Sequence, residues 1–463
     1  MTNLSNLRIF VTIFLTLIVI FISFFLFFQL DPQELFICDV YLEQEISIGN
    51  NIVNFLYPHS RCDDEIYLGS VQSFQNIFSE SNNQYQNRPI YLISNYLTYK
   101  FISTFASPQQ PIYNFLPALS FFLNQILYLA LGLHLLIKIF EKYFKISNFT
   151  IISVVSIASL NPLLQFGIFT PSNQTLSFLV FVVSLYLLEK QELSQNFYLY
   201  SLFLGILFLL NRSFFIGIVS INLYIFLYNK ISIKSTTKHI VSIIIFFIPN
   251  FLYKQYLNYQ NILPYDMNAE YYGQFIWLSK YFDSGLGYWI TKILLPKKLF
   301  DLRLTQAWDT TDEWYCFDLP RNFYCYANDS INLIKYLLVP VLLLIVVKVI
   351  NRKKINIYKN VYMVGSIAYL FWSLIGWYPP IRFSLYSLGN LIFILLIIEF
   401  IKLENIYEKL IFLSSLIFSL FHISHWNDIN YLNFNIFDYI SIMLLTLFTA
   451  RLFYNKKFAL LSN

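Results

Sequence analysis

Long apolar runs separated by short polar turns dominate the chain. Runs of near-spanning length fall at about 7–28, 112–137, 149–166, 174–188, 240–258, 331–350, 361–377, 383–400, 409–424 and 437–454. One further stretch, 197–228, is apolar except where Asn211-Arg212-Ser213 interrupts it. Each half of that stretch makes roughly 21–23 Å of helix, short of a hydrocarbon core near 30 Å. The pattern therefore allows one tilted pass or two short half-helices meeting at Asn211. Between the runs lie two long polar segments, about 29–111 and 259–330.

Composition turns this pattern into a class. Hydrophobic residues are 57% of the 463, charged residues 12%, and aromatics number 49 Phe, 36 Tyr and 7 Trp. Soluble domains carry roughly 25% charged residues, and a water-facing surface could not hide so much apolar area. Soluble, disordered, collagen-like and coiled-coil classes are excluded. The expectation is an all-α polytopic membrane protein.

Charge then orients the helices. With 197–228 read as two passes, 18 of the 31 Lys and Arg fall in the short loops of one side, and 20 of the 26 Asp and Glu fall on the other. That is the asymmetry of the positive-inside rule. A single pass would place the two long loops on opposite faces. The sequence thus predicts about twelve transmembrane segments in one integral domain, 1–463, with extracytoplasmic loops at 29–111 and 259–330 and both termini cytoplasmic. The first run is longer than a signal-peptide core and has no small-residue cleavage site, so it is read as a retained helix in a plasma (inner) membrane.

The four cysteines agree with that topology. Cys38 and Cys62 lie in the first long loop, Cys316 and Cys325 in the second, and no apolar run contains one. An oxidising outer face favours one disulfide per loop, Cys38–Cys62 and Cys316–Cys325. Four free thiols are the alternative. No CxxC spacing points to zinc.

Candidate chemistry sits in the first loop. Arg61-Cys62-Asp63-Asp64-Glu65-Ile66-Tyr67 holds the densest cluster of acids, and Asn87-Arg88-Pro89-Ile90-Tyr91 opens an aromatic, apolar segment about 20 residues later. Adjacent carboxylates near a membrane surface supply a general base for a hydroxyl or ligands for a divalent cation. Arginine at an interface suits a phosphate, through a planar fork that stays charged. Taken singly, each has a plainer reading as a solvated acidic turn or a snorkelling Arg. Arg212 and Arg382 stand at the ends of apolar segments, where a charge needs a partner or an interface. Either they cradle an anionic head group, or they pair with acids such as Glu270 and Asp309. The second loop, around Trp314, Tyr315, Phe323 and Tyr324, reads as an interfacial aromatic belt before a sugar-stacking lid. His422, His425 and Asp428 share a helical face, and a metal there is the less favoured reading.

A first helix, an external Asp-Glu-x-Tyr, then a basic residue with Pro and an aromatic run together resemble the GT-C superfamily of membrane glycosyltransferases. The likeness is to the protein O-mannosyltransferase and lipid A aminoarabinose transferase type. It extends to Gly205 through Arg212 and to Pro379-Pro380-Ile381-Arg382-Phe383. The resemblance implies Asp64 as catalytic acid, with Asp63 one position off and Glu65 beside it, and Arg88 as the contact to a donor phosphate, assisted by Arg382 and Arg212. It implies transfer of a sugar from a polyprenyl-phosphate-linked donor to a hydroxyl of a glycan, lipid or protein at the outer face. No tightly bound cofactor is expected, a divalent cation is a candidate ligand of the acids, and nucleic acid is not a partner. A polysaccharide polymerase or ligase shares this topology. A transporter, lacking inverted repeats and mid-helix acids here, ranks below both.

Overall fold

The computed structural model describes residues 2–28, 63–72, 84–105, 112–160, 176–190, 195–228, 233–263, 357–374 and 390–403, with 164, 168, 193 and 409. The four cysteines, Arg382, Glu270, Asp309, the aromatic second loop, His422, His425 and Asp428 lie outside the described residues, as do the runs at 331–350 and 437–454 and, Lys409 aside, that at 409–424.

The described part is all-helical, with no strand among its residues. Its helices are α1 (Thr2–Phe28), α2 (Asp63–Gln72), α3 (Pro89–Ser103), α4 (Ile112–Phe140), α5 (Asn148–Leu160), α6 (Leu176–Leu188), α7 (Phe197–Phe208), α8 (Phe215–Tyr228), α9 (Ile233–Tyr259), α10 (Ile357–Leu374) and α11 (Asn390–Lys402). Two of them, α4 over Leu116–Phe140 and α9 over Thr236–Tyr259, are long and apolar enough to cross a membrane.

The ambiguous stretch 197–228 is two helices. The break has a local cause: the side chain of Asn211 accepts a hydrogen bond from the backbone N–H of Ser213 at 2.8 Å, capping the 3-10 turn Arg212–Phe214 that opens α8. Helix α9 fixes their directions. Along it, Ser201 of α7 meets Ser242 (Oγ–Oγ 2.8 Å) and Phe208 meets Phe246 (5.1 Å between rings), so α7 and α9 run parallel. Phe215 of α8 meets Phe246, and Asn222 Oδ1 lies 2.7 Å from His239 Nδ1, so α8 and α9 run antiparallel. Gly205 lets α7 and α9 touch: a Cβ there would stand 2.2 Å from the carbonyl oxygen of Phe246. Helix α1 is antiparallel to α4, with Phe21 on Phe122 and Phe10 on His134.

Helix α6 is the axis of the bundle. All its residues but Ser177 and Tyr186 are buried, against α4, α8 and α10. Many buried positions are polar, among them Ser120, Asn124, Gln125, Ser184, Ser201 and Ser220. Large apolar side chains face outwards instead: Leu15 and Val19 on α1, Leu199 and Phe203 on α7, Ile244, Phe251 and Leu252 on α9. A bundle solvated by lipid takes this distribution, because outward apolar groups cost nothing there, while inward polar groups bond within their helix, as Ser184 and Ser220 do, or across to a neighbour, as Ser201 and Asn124 do.

One end is clamped by buried carboxylates. Glu189, with 6% of its side chain exposed, follows α6. It accepts hydrogen bonds from the Tyr143 hydroxyl (2.6 Å) and from Asn360 Nδ2 (2.7 Å), while Lys142 donates to its backbone carbonyl. Burial, then the bond to Glu189, raises the Tyr143 phenol above its ordinary pKa, so it remains a donor. Beside this, Tyr358 donates to Glu399, which also pairs with Lys402 at 2.8 Å. Lys142 and Lys402 are among the basic residues that charge counting puts inside, and they stand at this same end.

Candidate active site

The acid cluster is not a turn. Asp63, Asp64 and Glu65 are the first three residues of α2. Unsatisfied backbone N–H groups and the helix dipole favour carboxylates there, which gives the cluster a structural cause independent of catalysis. Helical register puts positions 63 and 64 one turn before Tyr67 and on its side of α2, whereas 65 falls off that side.

Tyr67 joins this helix to the predicted phosphate contact. Its ring is 4% exposed and meets Tyr91 of α3 edge-on at 6.1 Å and Phe121 of α4 at 6.2 Å. The Arg88 guanidinium donates from Nη1 to the Tyr67 hydroxyl. Arg88 itself is half-buried and immediately precedes α3, whose start follows from Pro89 in its first turn, where a missing N–H costs no helical bond.

The same turn is tied to the break between α7 and α8. Ile90 N–H donates to the carbonyl of Leu209 at 3.3 Å. Arg212, also half-buried, lies three residues beyond Leu209. Arg88 is thus linked to Tyr67 of the acid-bearing helix, and the turn that carries it is linked to the break between α7 and α8.

This junction lies well inside the bundle. Tyr91 receives a hydrogen bond from Gln125 of α4 at 2.7 Å. From Gln125 to the end of α4 is about 23 Å of helix, and α7 rises about 18 Å from Phe197 to Leu209. The junction is therefore roughly 20 Å along the bundle from the end that Glu189 and Glu399 clamp. Helix α3, which carries Arg88 at its start, packs along α4.

A polar seam missed at the level of sequence supports α3 there. Ser94 Oγ lies 2.7 Å from the Tyr128 hydroxyl, and Asn124 Nδ2 donates to Asn95 Oδ1 (3.0 Å) and Thr98 Oγ1 (2.9 Å). The legible signal is spacing: Tyr91, Ser94, Asn95 and Thr98 on one helix, Phe121, Asn124, Gln125 and Tyr128 on the other, all at three- and four-residue steps. Among the described residues no three His, Cys, Asp or Glu gather as a metal site.

No protein-family model, curated protein or solved structure matches the chain.

Proposed function

We propose that the chain is a multi-pass membrane glycosyltransferase of GT-C type, with about twelve crossings and its catalytic face on the outer side. The donor is a sugar on a polyprenyl phosphate; the acceptor is a hydroxyl of a glycan, lipid or protein. The observation that carries the reading is the junction of Arg88 with Tyr67 on the acid-bearing helix and with the Leu209–Arg212 turn. In this reading Arg88 is the phosphate contact, one hydrogen bond from the helix that begins with the only run of three acids in the sequence.

In this reaction the acceptor oxygen forms a bond to the anomeric carbon as the bond from that carbon to the phosphate oxygen breaks. Asp64 takes the acceptor's proton. Arg88, with Arg212 and Arg382, offsets the negative charge growing on the departing polyprenyl phosphate, which is where electrostatic stabilisation has its largest effect. Preformed phosphate-sugar bonding supplies the driving force.

Transfer from a polyprenyl-phosphate sugar, in membranes matched for expression, tests this. Asp64→Asn should lose about 10²–10⁴-fold in rate, as general-base loss typically does. Asp63→Asn should be mild. Arg88→Ala should weaken donor use, and Arg88→Lys should restore part of it. Wild-type transfer by both Asp variants would remove the glycosyltransferase reading.

A further inference from the structure

We infer that Tyr67 is the positioning residue of the donor site: its hydroxyl fixes the plane of the Arg88 guanidinium so that the fork faces a lipid-linked phosphate. The inference rests on the glycosyltransferase reading and deepens it.

Three observations carry it. First, Arg88 spends one of its donors on the Tyr67 oxygen. A phenol is a neutral acceptor, so this contact sets orientation without changing the net charge offered to a phosphate. Second, Tyr67 cannot swing away. Its ring is held edge-on by Tyr91 and Phe121, and Tyr91 is held in turn by Gln125. The chain of contacts runs from α4 through two buried rings to the guanidinium. Third, the backbone that carries Arg88 is anchored separately, through Ile90 to Leu209. One anchor holds the main chain and the other holds the head group. That pair of restraints is what a bidentate phosphate contact needs, since a fork that rotates freely must be ordered on binding.

The ring and the hydroxyl have separable duties. Tyr67→Phe keeps the packing against Tyr91 and Phe121 and removes only the acceptor. A hydrogen bond to a charged group is commonly lost at a cost of about tenfold or more in affinity.

The test uses purified full-length protein in nanodiscs with farnesyl phosphate and farnesol as probes. The wild type should bind the phosphate more tightly than the alcohol. Tyr67→Phe should lose about tenfold for farnesyl phosphate and nothing for farnesol, with an unchanged thermal midpoint. In an Arg88→Ala background the same substitution should cause no further loss, because Tyr67 acts through Arg88. Tyr67→His, which keeps a ring acceptor, should recover part of the discrimination, and Tyr67→Leu should not, so the question stays answerable if Tyr67→Phe fails to fold. Phosphate binding by Tyr67→Phe equal to wild type, or a loss that adds to that of Arg88→Ala, overturns the positioning role and leaves the proposed function standing. Equal binding of phosphate and alcohol by the wild type overturns both.

Discussion

Replacing Gly205 with Ala should loosen the contact between α7 and α9. The added Cβ would lie 2.2 Å from the Phe246 oxygen, 3.0 Å from its carbonyl carbon and 3.2 Å from its Cα. Ordinary contact begins near 3.4 Å, and the obstacle is backbone, so no rotamer change relieves it. The helices must part by roughly 1 Å, at an overpacking cost of about 1–3 kcal/mol. The Ser201–Ser242 hydrogen bond, now 2.8 Å, would stretch beyond bonding range. Interhelical polar contacts in membranes average about 0.6 kcal/mol, so the total loss is about 1.5–3.5 kcal/mol. Heating in detergent followed by size-exclusion chromatography should show a midpoint several degrees below wild type. Gly69→Ala is the control: nothing lies within 4 Å of its Cβ, and it sits inside α2. There the substitution should be neutral or stabilise by up to about 1 kcal/mol. A Gly205→Ala protein as stable as wild type would refute the close approach.

Other outcomes follow from the same contacts. Glu189→Gln should destabilise by about 1–3 kcal/mol, because its amide N–H₂ would face the Tyr143 or Asn360 donor; denaturation in matched detergent measures it. Cysteines introduced at Lys190 and Lys234 should label from the same, cytoplasmic side, and opposite accessibility would undo the two-helix topology of 197–228. Non-reducing peptide mapping should find Cys38 joined to Cys62 and Cys316 to Cys325; other pairings or free thiols would separate the cysteines from the topology.

What the sequence reveals here depends on how local the cause is. Asn211 breaks its apolar stretch by hydrogen-bonding two residues away, and Pro89 opens α3 by its own missing N–H, so both were legible. The acid cluster was legible as chemistry but not as a helix start, since Asp63-Asp64-Glu65 reads equally well as a turn. Arg88 shows the limit most clearly. Its type and its proline neighbour point to phosphate, yet its place in the bundle depends on Tyr91 meeting Gln125, 34 residues further along. Asn360 and Glu189, 171 residues apart, carry no mutual signal in the chain at all. Contacts of that range are decided by which helices become neighbours.

The seam between α3 and α4 also bears on the order in which the protein is made. Helix α3 has 15 residues, about 22 Å, too short to cross a bilayer unaided. One side of it carries Ser94, Asn95 and Thr98, whose partner Asn124 emerges from the ribosome later. The segment's polar partners are therefore missing until α4 is synthesised, and the two helices then pair as a hairpin. Because chains are completed from the N-terminus, Glu189 waits much longer, until Asn360 appears. Assembly of the Arg88 junction thus precedes closure of the opposite end, and a chain stalled before residue 360 would hold that junction on an unclamped bundle.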